Sequence, residues 1–221
     1  MQLSLEGLIE LFNVWHTGTR HHILVRFTAA TGSATTDGTD TLTVSGGHGL
    51  VVGNRVRFTG SPPSPLDTTT TYFVVATPSA TQFKASTTRG GSALTVSAGS
   101  ATYEEQPLNG CDPLAVWVKH ELTTTGYERV EFTFGTGTYD ANRRSVTCTP
   151  VEITRSGVTL AYTHAATIRG GTSTVGDLTG ALEYWHDFGG LQTVAADQTA
   201  LFTVTPRLTL VPPDLTGLNP C

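Results

Sequence analysis

The sequence predicts an all-β protein: a β-sandwich with a small β-barrel inserted into it and a short helix or arm at its N-terminus. Three observations carry that expectation. Only 14% of the 221 residues are charged, against roughly 25% in an ordinary globular domain, and 41 threonines and 24 glycines take their place. Threonine is β-branched and polar, so it suits a strand with one wet face. The second observation is the stretch Gly126 to Leu210. Short apolar runs ended by glycine recur there, in GYERVEFTFG, LAYTHAATIRGG and ALEYWHDFGG, before the closing TALFTVTPRLTL. That is the sequence form of packed strands joined by tight turns. The third is a change of texture from Ala34 to Tyr103, where shorter segments are broken by Gly46-Gly47, Gly53-Asn54, Pro62-Pro63-Ser64-Pro65 and Gly90-Gly91. Strands so short and so regularly interrupted favour a small closed barrel, because closure removes exposed edges.

Taken in order, residues 1–33 form an N-terminal helix or arm followed by the first strand of the main domain. Leu5, Leu8, Ile9 and Phe12 share one helical face, with Ser4 as the cap ahead of Glu6 and Glu10, and a helix this short needs a packing partner. Gly18 signals a turn, and His22 to Thr28 alternates as a strand. Residues 34–104 make the barrel, from TLTVS at Thr41, RVRFTG at Arg55, TYFVVAT at Thr71, QFKAST at Gln82 and ALTVSA at Ala93. EEQPLNGCDP, Glu104 to Pro113, is turn-rich and reads as a linker back into the main domain. PLAVWVKHEL then reads as a strand with Ala115 and Trp117 on one face and Val116, Val118 and His120 on the other. Residues 105–210 hold the sandwich. Residues 211–221 carry three prolines, which a sheet interior does not accept, and are expected to form an extended arm on the surface or on another subunit.

Composition and motifs also bound the chemistry. The net charge is −5 with only two lysines, Lys84 and Lys119, so no basic surface for nucleic acid is expected. No apolar run approaches the roughly 20 residues that span a bilayer, and MQLSLEGLIELF carries acids where a signal peptide needs bases. The expectation is a soluble protein made in a cytoplasm. Cys111, Cys148 and Cys221 are too few and too scattered for a disulfide framework or a zinc site, so structural or free thiols are expected. The seven histidines, His16, His21, His22, His48, His120, His164 and His186, show no ligand spacing, so no metal and no cofactor is expected. His48 is read as a turn residue within HGL.

No G-x-S-x-G elbow occurs, and the glycine pairs Gly170-Gly171 and Gly189-Gly190 open no phosphate-binding helix. Catalysis is therefore not expected. Glu183 and Asp187 flank Tyr184-Trp185-His186. Two carboxylates serve a glycosidase only when set about 5 to 9.5 Å apart across a sugar, and an aromatic group beside acids also fits a carbohydrate-binding face. Tyr184, Trp185 and Asp187 are the candidate ligand-facing residues. The competing reading turns Tyr184 or Trp185 into the core, because aromatic side chains bury large areas.

Two resemblances bear on function. The H-G-L-x-x-G-x-x-V run at His48 to Val56, the Y-x-V-V step at Tyr72 to Val75 and T-x-F at Thr81 to Phe83 resemble a small β-barrel module of bacteriophage structural proteins, similar to the first catalytic-cysteine half-domain of ubiquitin-activating enzymes. No adenylation machinery accompanies it, so ubiquitin chemistry is not implied. The ordered blocks PLAVWVKH at Pro113, GYERVEFTFG at Gly126, YTHAATI at Tyr162, GALEYWHDF at Gly180, TVAADQTALF at Thr193 and RLTL at Arg207 resemble the tail fibre proteins of tailed phages. That likeness implies a β-sandwich displayed on a virion as a capsid decoration or cement protein, or as a tail appendage or adaptor. Its implied partners are major capsid or tail proteins and copies of itself. Its alternative is a receptor- or carbohydrate-binding module reading a host surface glycan.

Overall fold

In the computed structural model, which describes residues 18–140, 145–204 and 207–209, the chain is almost entirely β and divides into two compact units. The expected N-terminal helix and the proline-rich C-terminal arm lie outside the described residues. One unit runs Val25–Glu121 and interrupts the other, which takes the chain on either side. The strands in chain order are β1 (Arg20–Val25), β2 (Thr31–Thr36), β3 (Leu42–Val44), β4 (Arg55–Thr59), β5 (Thr71–Ser79), β6 (Gln82–Ser86), β7 (Gly99–Glu105), β8 (Val130–Phe132), β9 (Thr138–Asp140), β10 (Ser145–Thr147), β11 (Val151–Arg155), β12 (Leu160–Arg169), β13 (Ala181–Val194), β14 (Ala200–Val204) and β15 (Arg207–Thr209). A single helix among the described residues, α1, spans Leu114–Lys119.

The inserted unit is a closed barrel in the order β2-β3-β6-β5-β4-β7, with β7 returning to β2. Its strands alternate as a half-buried sheet demands: Val56 and Phe58 point inward on β4 while Arg55, Arg57 and Thr59 do not. The inward side chains, among them Leu42, Tyr72, Val74, Phe83, Val96 and Tyr103, form one core. Closure depends on β2 lying close to β7. Gly32 stands opposite Tyr103 in the ladder, and a Cβ there would come within 2.9 Å of the Tyr103 hydroxyl, which itself donates to the His48 carbonyl at 3.0 Å. His48 is a turn organiser: its Nδ1 accepts from the Leu50 N–H and its Nε2 bonds the Ser79 carbonyl.

Three expectations for this unit are corrected. Ala93 to Ala98 is not a strand. Leu94 and Val96 send their N–H groups to two separate carbonyls, Ala85 and Thr39, so the segment packs Val96 into the barrel without joining a ladder. PLAVWVKHEL is not a strand either: Leu114–Lys119 is a helix, with N–H groups bonding back to carbonyls three residues earlier, Val116 to Pro113 and His120 to Trp117. Pro113 precedes that helix, where its missing N–H has no intrahelical partner to lose. Finally, Glu104 to Pro113 is no free linker, and the unit extends past 34–104 at both ends. Asp112 accepts from Arg55 at 2.9 and 3.2 Å, from Arg89 at 3.2 Å and from the Asn109 N–H at 2.9 Å, and Arg55 also donates to the Pro107 carbonyl.

At the end of β7 a carboxylate takes an inward position where the pattern asks for an apolar residue. Glu105 is 1% exposed and accepts from Asn54 Nδ2 at 2.5 Å, the Ala30 N–H at 3.0 Å, Lys119 Nζ at 2.6 Å and His120 Nε2 at 3.0 Å. Burial pushes its pKa up, but the bonds from His120 and Lys119 outweigh that and hold it below the ordinary value. A carboxyl depressed in the fold adds stability above its unfolded pKa and loses it as pH falls through the folded one. Glu105→Gln, which keeps the shape and removes the charge, is expected to cost about 1–3 kcal/mol at neutral pH. In urea unfolding that deficit should shrink below about pH 4.

The second unit is a sandwich. One sheet runs β13-β12-β1-β8 and a two-stranded sheet pairs β11 with β14, with a further small sheet β15-β10-β9. Side chains of the first two meet in common clusters: Phe132 and Tyr184 with Ile153 and Phe202, and Leu24 and Tyr162 again with Phe202. β1 lies inside its sheet and all six of its residues are buried, as a strand covered on both faces must be. The expected His22 to Thr28 strand is therefore displaced toward Arg20. Cys148 is a free, buried thiol, raised in pKa by burial. Cys111 is disulfide-bonded, which corrects the expectation of a free thiol there.

Candidate functional site

The candidate residues lie on β13, and the loop that leads into it is held by one carboxylate. Asp177 accepts from the backbone N–H groups and hydroxyls of Thr172 and Thr179 at 2.6–2.9 Å. The Thr179 hydroxyl and N–H lead in holding its carboxyl far below the usual range. Arg129 ties the same loop down by donating to the Asp177 carbonyl at 2.9 Å.

Along β13 burial does not alternate, since Leu182 to Tyr184 are half-buried and Trp185 to Asp187 exposed. The ladder with β12 shifts twice, at Glu183 and, in a larger excursion, between Asp187 and Gln192. Tyr162 pairs with Gln192 and His164 with Asp187, so β13 spends five residues where β12 spends two. Gly189 takes a φ of +71° in that excursion, and its N–H donates to Asp187 Oδ1 at 2.8 Å. The result turns Phe188 against Tyr162, with ring centroids 5.3 Å apart, and brings it within 6.3 Å of Phe202.

This geometry separates the residues that the sequence places side by side. Glu183 is a structural carboxylate, held by Arg20 at 2.7 and 3.1 Å and only 3% exposed. Asp187 is mostly exposed, and its Oδ1 stands 3.7 Å from His164 Nε2. Four residues of strand separate the two acids by roughly 13 Å, beyond the spacing that two glycosidase carboxylates use. Tyr184 is half-buried in the sandwich core, and burial, with Glu183 adding to it, pushes its phenol up to about 12. Trp185 is 44% exposed.

Tyr184 and Trp185 do share a feature that Asp187 does not. They line a cavity of about 360 Å³ with His22, Ala165, Ala166, Thr167, His186, Phe188, Leu201, Phe202, Thr203 and Val204. The cavity lies over β12 and β13 and is walled by β14. Sequence reading missed His22, Phe188 and Phe202 in this role. The only local signal was the Gly189-Gly190 pair that permits the excursion.

His22 is the unusual member. It is 2% exposed, its Nδ1 faces Arg155 at 3.2 and 3.4 Å, and Arg155 also donates to the His22 and Glu128 carbonyls at 2.6 Å each. The guanidinium lies 5.1 Å over the Tyr127 ring. Burial, and then the Arg155 charge, lowers the His22 pKa to about 3. The ring is therefore neutral at ordinary pH. Because Nδ1 accepts from Arg155, the proton sits on Nε2.

Of the remaining histidines, His186 lines the same cavity as His22 and the others lie apart. His21 bonds the Gly170 carbonyl at 3.0 Å, His48 and His120 belong to the barrel unit, and His16 lies outside the described residues. Among the described residues no group of three His, Cys, Asp or Glu is placed to hold a metal. Comparison with protein-family models, with curated proteins and with solved structures returned no match. The phage resemblance therefore rests on its motifs alone.

Proposed function

We propose that the chain is a structural protein of a tailed-phage virion, displayed on the particle as a capsid decoration or cement protein or as a tail appendage, and acting by contact and not by catalysis. The observation that best supports this reading is where the exposed apolar side chains fall. Of the large apolar side chains exposed among the described residues, Leu178, Trp185, Leu191 and Leu201, at 44–60%, belong to the sandwich unit and one, Val52, to the barrel unit. Among the described residues β13 pairs only with β12, and β14 only with β11. Unpaired edges and apolar surface together favour subunit contact, and repeated weak contacts gain strength by multivalency.

The first test is mass spectrometry and immunogold labelling of purified particles. The chain is expected in many copies at one class of site, and its absence from intact virions would sink the proposal. A Leu191→Glu/Leu201→Glu variant is expected to retain its melting temperature within about 2 °C, since exposed positions contribute little to stability. Its particle occupancy should fall at least tenfold. A second reading, a carbohydrate-binding module for a host surface glycan, is favoured by one observation, the aromatic-lined cavity beside Trp185.

A further inference from the structure

The geometry points to the cavity of the sandwich unit as a binding site for the ring of an uncharged pyranose sugar, with the His22 Nε2–H as a hydrogen-bond donor from its wall. This rests on the glycan-binding reading and replaces the Tyr184, Trp185 and Asp187 set with His22, Tyr184, Trp185, Phe188 and Phe202.

The argument for a ring starts from size and walls. About 360 Å³ lies at the small end of the roughly 300–1,000 Å³ usual for ligand sites, which suits one or two rings. Phe188, Phe202 and Tyr184 supply apolar faces, against which the C–H face of a pyranose packs, while the open side leaves its other hydroxyls in water.

The absence of charge is set by the lining. No Asp, Glu, Lys or Arg lines the cavity. The nearest buried charges are engaged elsewhere, Glu183 by Arg20 and Arg155 by the carbonyls of His22 and Glu128. An ammonium entering this space would lose water with no anionic lining group to replace it, and a carboxylate would meet only the imidazoles of His22 and His186.

A hydroxyl is called for by His22. Nδ1 is taken by Arg155, and no described protein group accepts from Nε2, on a side chain that lines the cavity. Among the described residues that Nε2 is not one of the buried side-chain atoms left without a hydrogen bond, so water reaches it from the cavity and a ligand oxygen can replace that water as acceptor. A sugar oxygen supplies that acceptor, with the hydroxyls of Thr167 and Thr203 on the same walls able to donate or accept. Neutrality of His22 matters because a protonated ring would place an unbalanced charge in the site.

The test uses the full chain on a glycan array carrying neutral, sialylated and uronic-acid glycans, followed by titration of Trp fluorescence with the methyl glycosides of glucose, galactose, mannose and N-acetylglucosamine. The expected result is saturable millimolar binding of at least one neutral glycoside, no binding of acidic glycans, and at least a tenfold loss in Leu201→Lys. That variant sits at an exposed rim position and is expected to fold. His22→Phe is expected to lose binding similarly. Should it fail to fold, Leu201→Lys and Thr167→Val decide the matter. A flat array overturns the glycan reading and the site with it. An array positive only for acidic glycans, or binding that survives both Leu201→Lys and Thr167→Val, overturns the site while leaving the reading intact. Binding of p-cresol without any sugar also overturns it, and assigns the cavity to an aromatic side chain of a protein partner.

Discussion

Glu183→Ala is expected to destabilise the sandwich unit by about 3–5 kcal/mol, the range for removing one partner of a buried ion pair. The magnitude comes from what is left behind. Arg20 is fully buried, binds both Glu183 oxygens, donates to the Gly18 carbonyl at 2.9 Å and lies 4.9 Å over the Phe134 ring. Without Glu183 its charge stays in that enclosure without the carboxylate that balances it. Arg169 stands 3.9 Å from the same carboxylate but is partly exposed, so it turns to solvent at little cost. Glu183→Gln, which keeps an acceptor and loses the charge, should fall between the two extremes. The double change Arg20→Met/Glu183→Leu should recover much of the loss, since well-packed apolar replacements of buried pairs are often neutral or better. Urea unfolding of the four proteins at pH 7 checks the series. A deficit below about 1 kcal/mol for Glu183→Ala would show that the pair is solvated in solution.

That carboxylate also shows where the sequence stops being legible. Glu183 beside Tyr184 and Trp185 looks like part of a polar binding face, and nothing within ten residues reveals that Arg20, 163 positions earlier, buries it. The strands themselves were readable where side chains alternate cleanly, as in β4 with Val56 and Phe58 inward. They were unreadable where alternation is carried by small or charged residues. β2 has one buried side chain, Ala34, in six residues, and β7 ends its inward row on Glu105. Ala93 to Ala98 misled in the opposite sense, since Leu94 and Val96 alternate without a partner strand. The candidate site suffered from the same limit. Tyr184 and Trp185 were visible as neighbours, but membership of the cavity depends on the excursion at Phe188 to Leu191 and on His22 and Phe202, which lie far off in sequence.

His22 should make the protein acid-labile in a defined window. Its folded pKa of about 3 lies below the ordinary 6.5, so the folded ring refuses a proton that the unfolded chain accepts. The unfolded state therefore binds more protons between those values, and stability falls as pH falls through them. Above pH 6.5 the residue contributes no pH dependence. Below it, each pH unit costs up to a factor of ten in the folding equilibrium, for a total of roughly 4 kcal/mol near pH 3. Other groups titrate in the same range, among them Glu105, so the effect is read as a difference between two proteins. His22→Asn offers Arg155 an acceptor oxygen and cannot gain a proton, so it is expected to be less stable than the parent at pH 7.5 and to close that gap by about pH 4.5. Parallel unfolding curves at pH 7.5, 6.0, 5.0 and 4.5 give the comparison. If the difference between the two proteins is flat across that range, His22 is protonated freely in the fold. Arg155 donation to Nδ1 then does not keep the proton off the ring, and the neutrality assigned to the cavity fails with it.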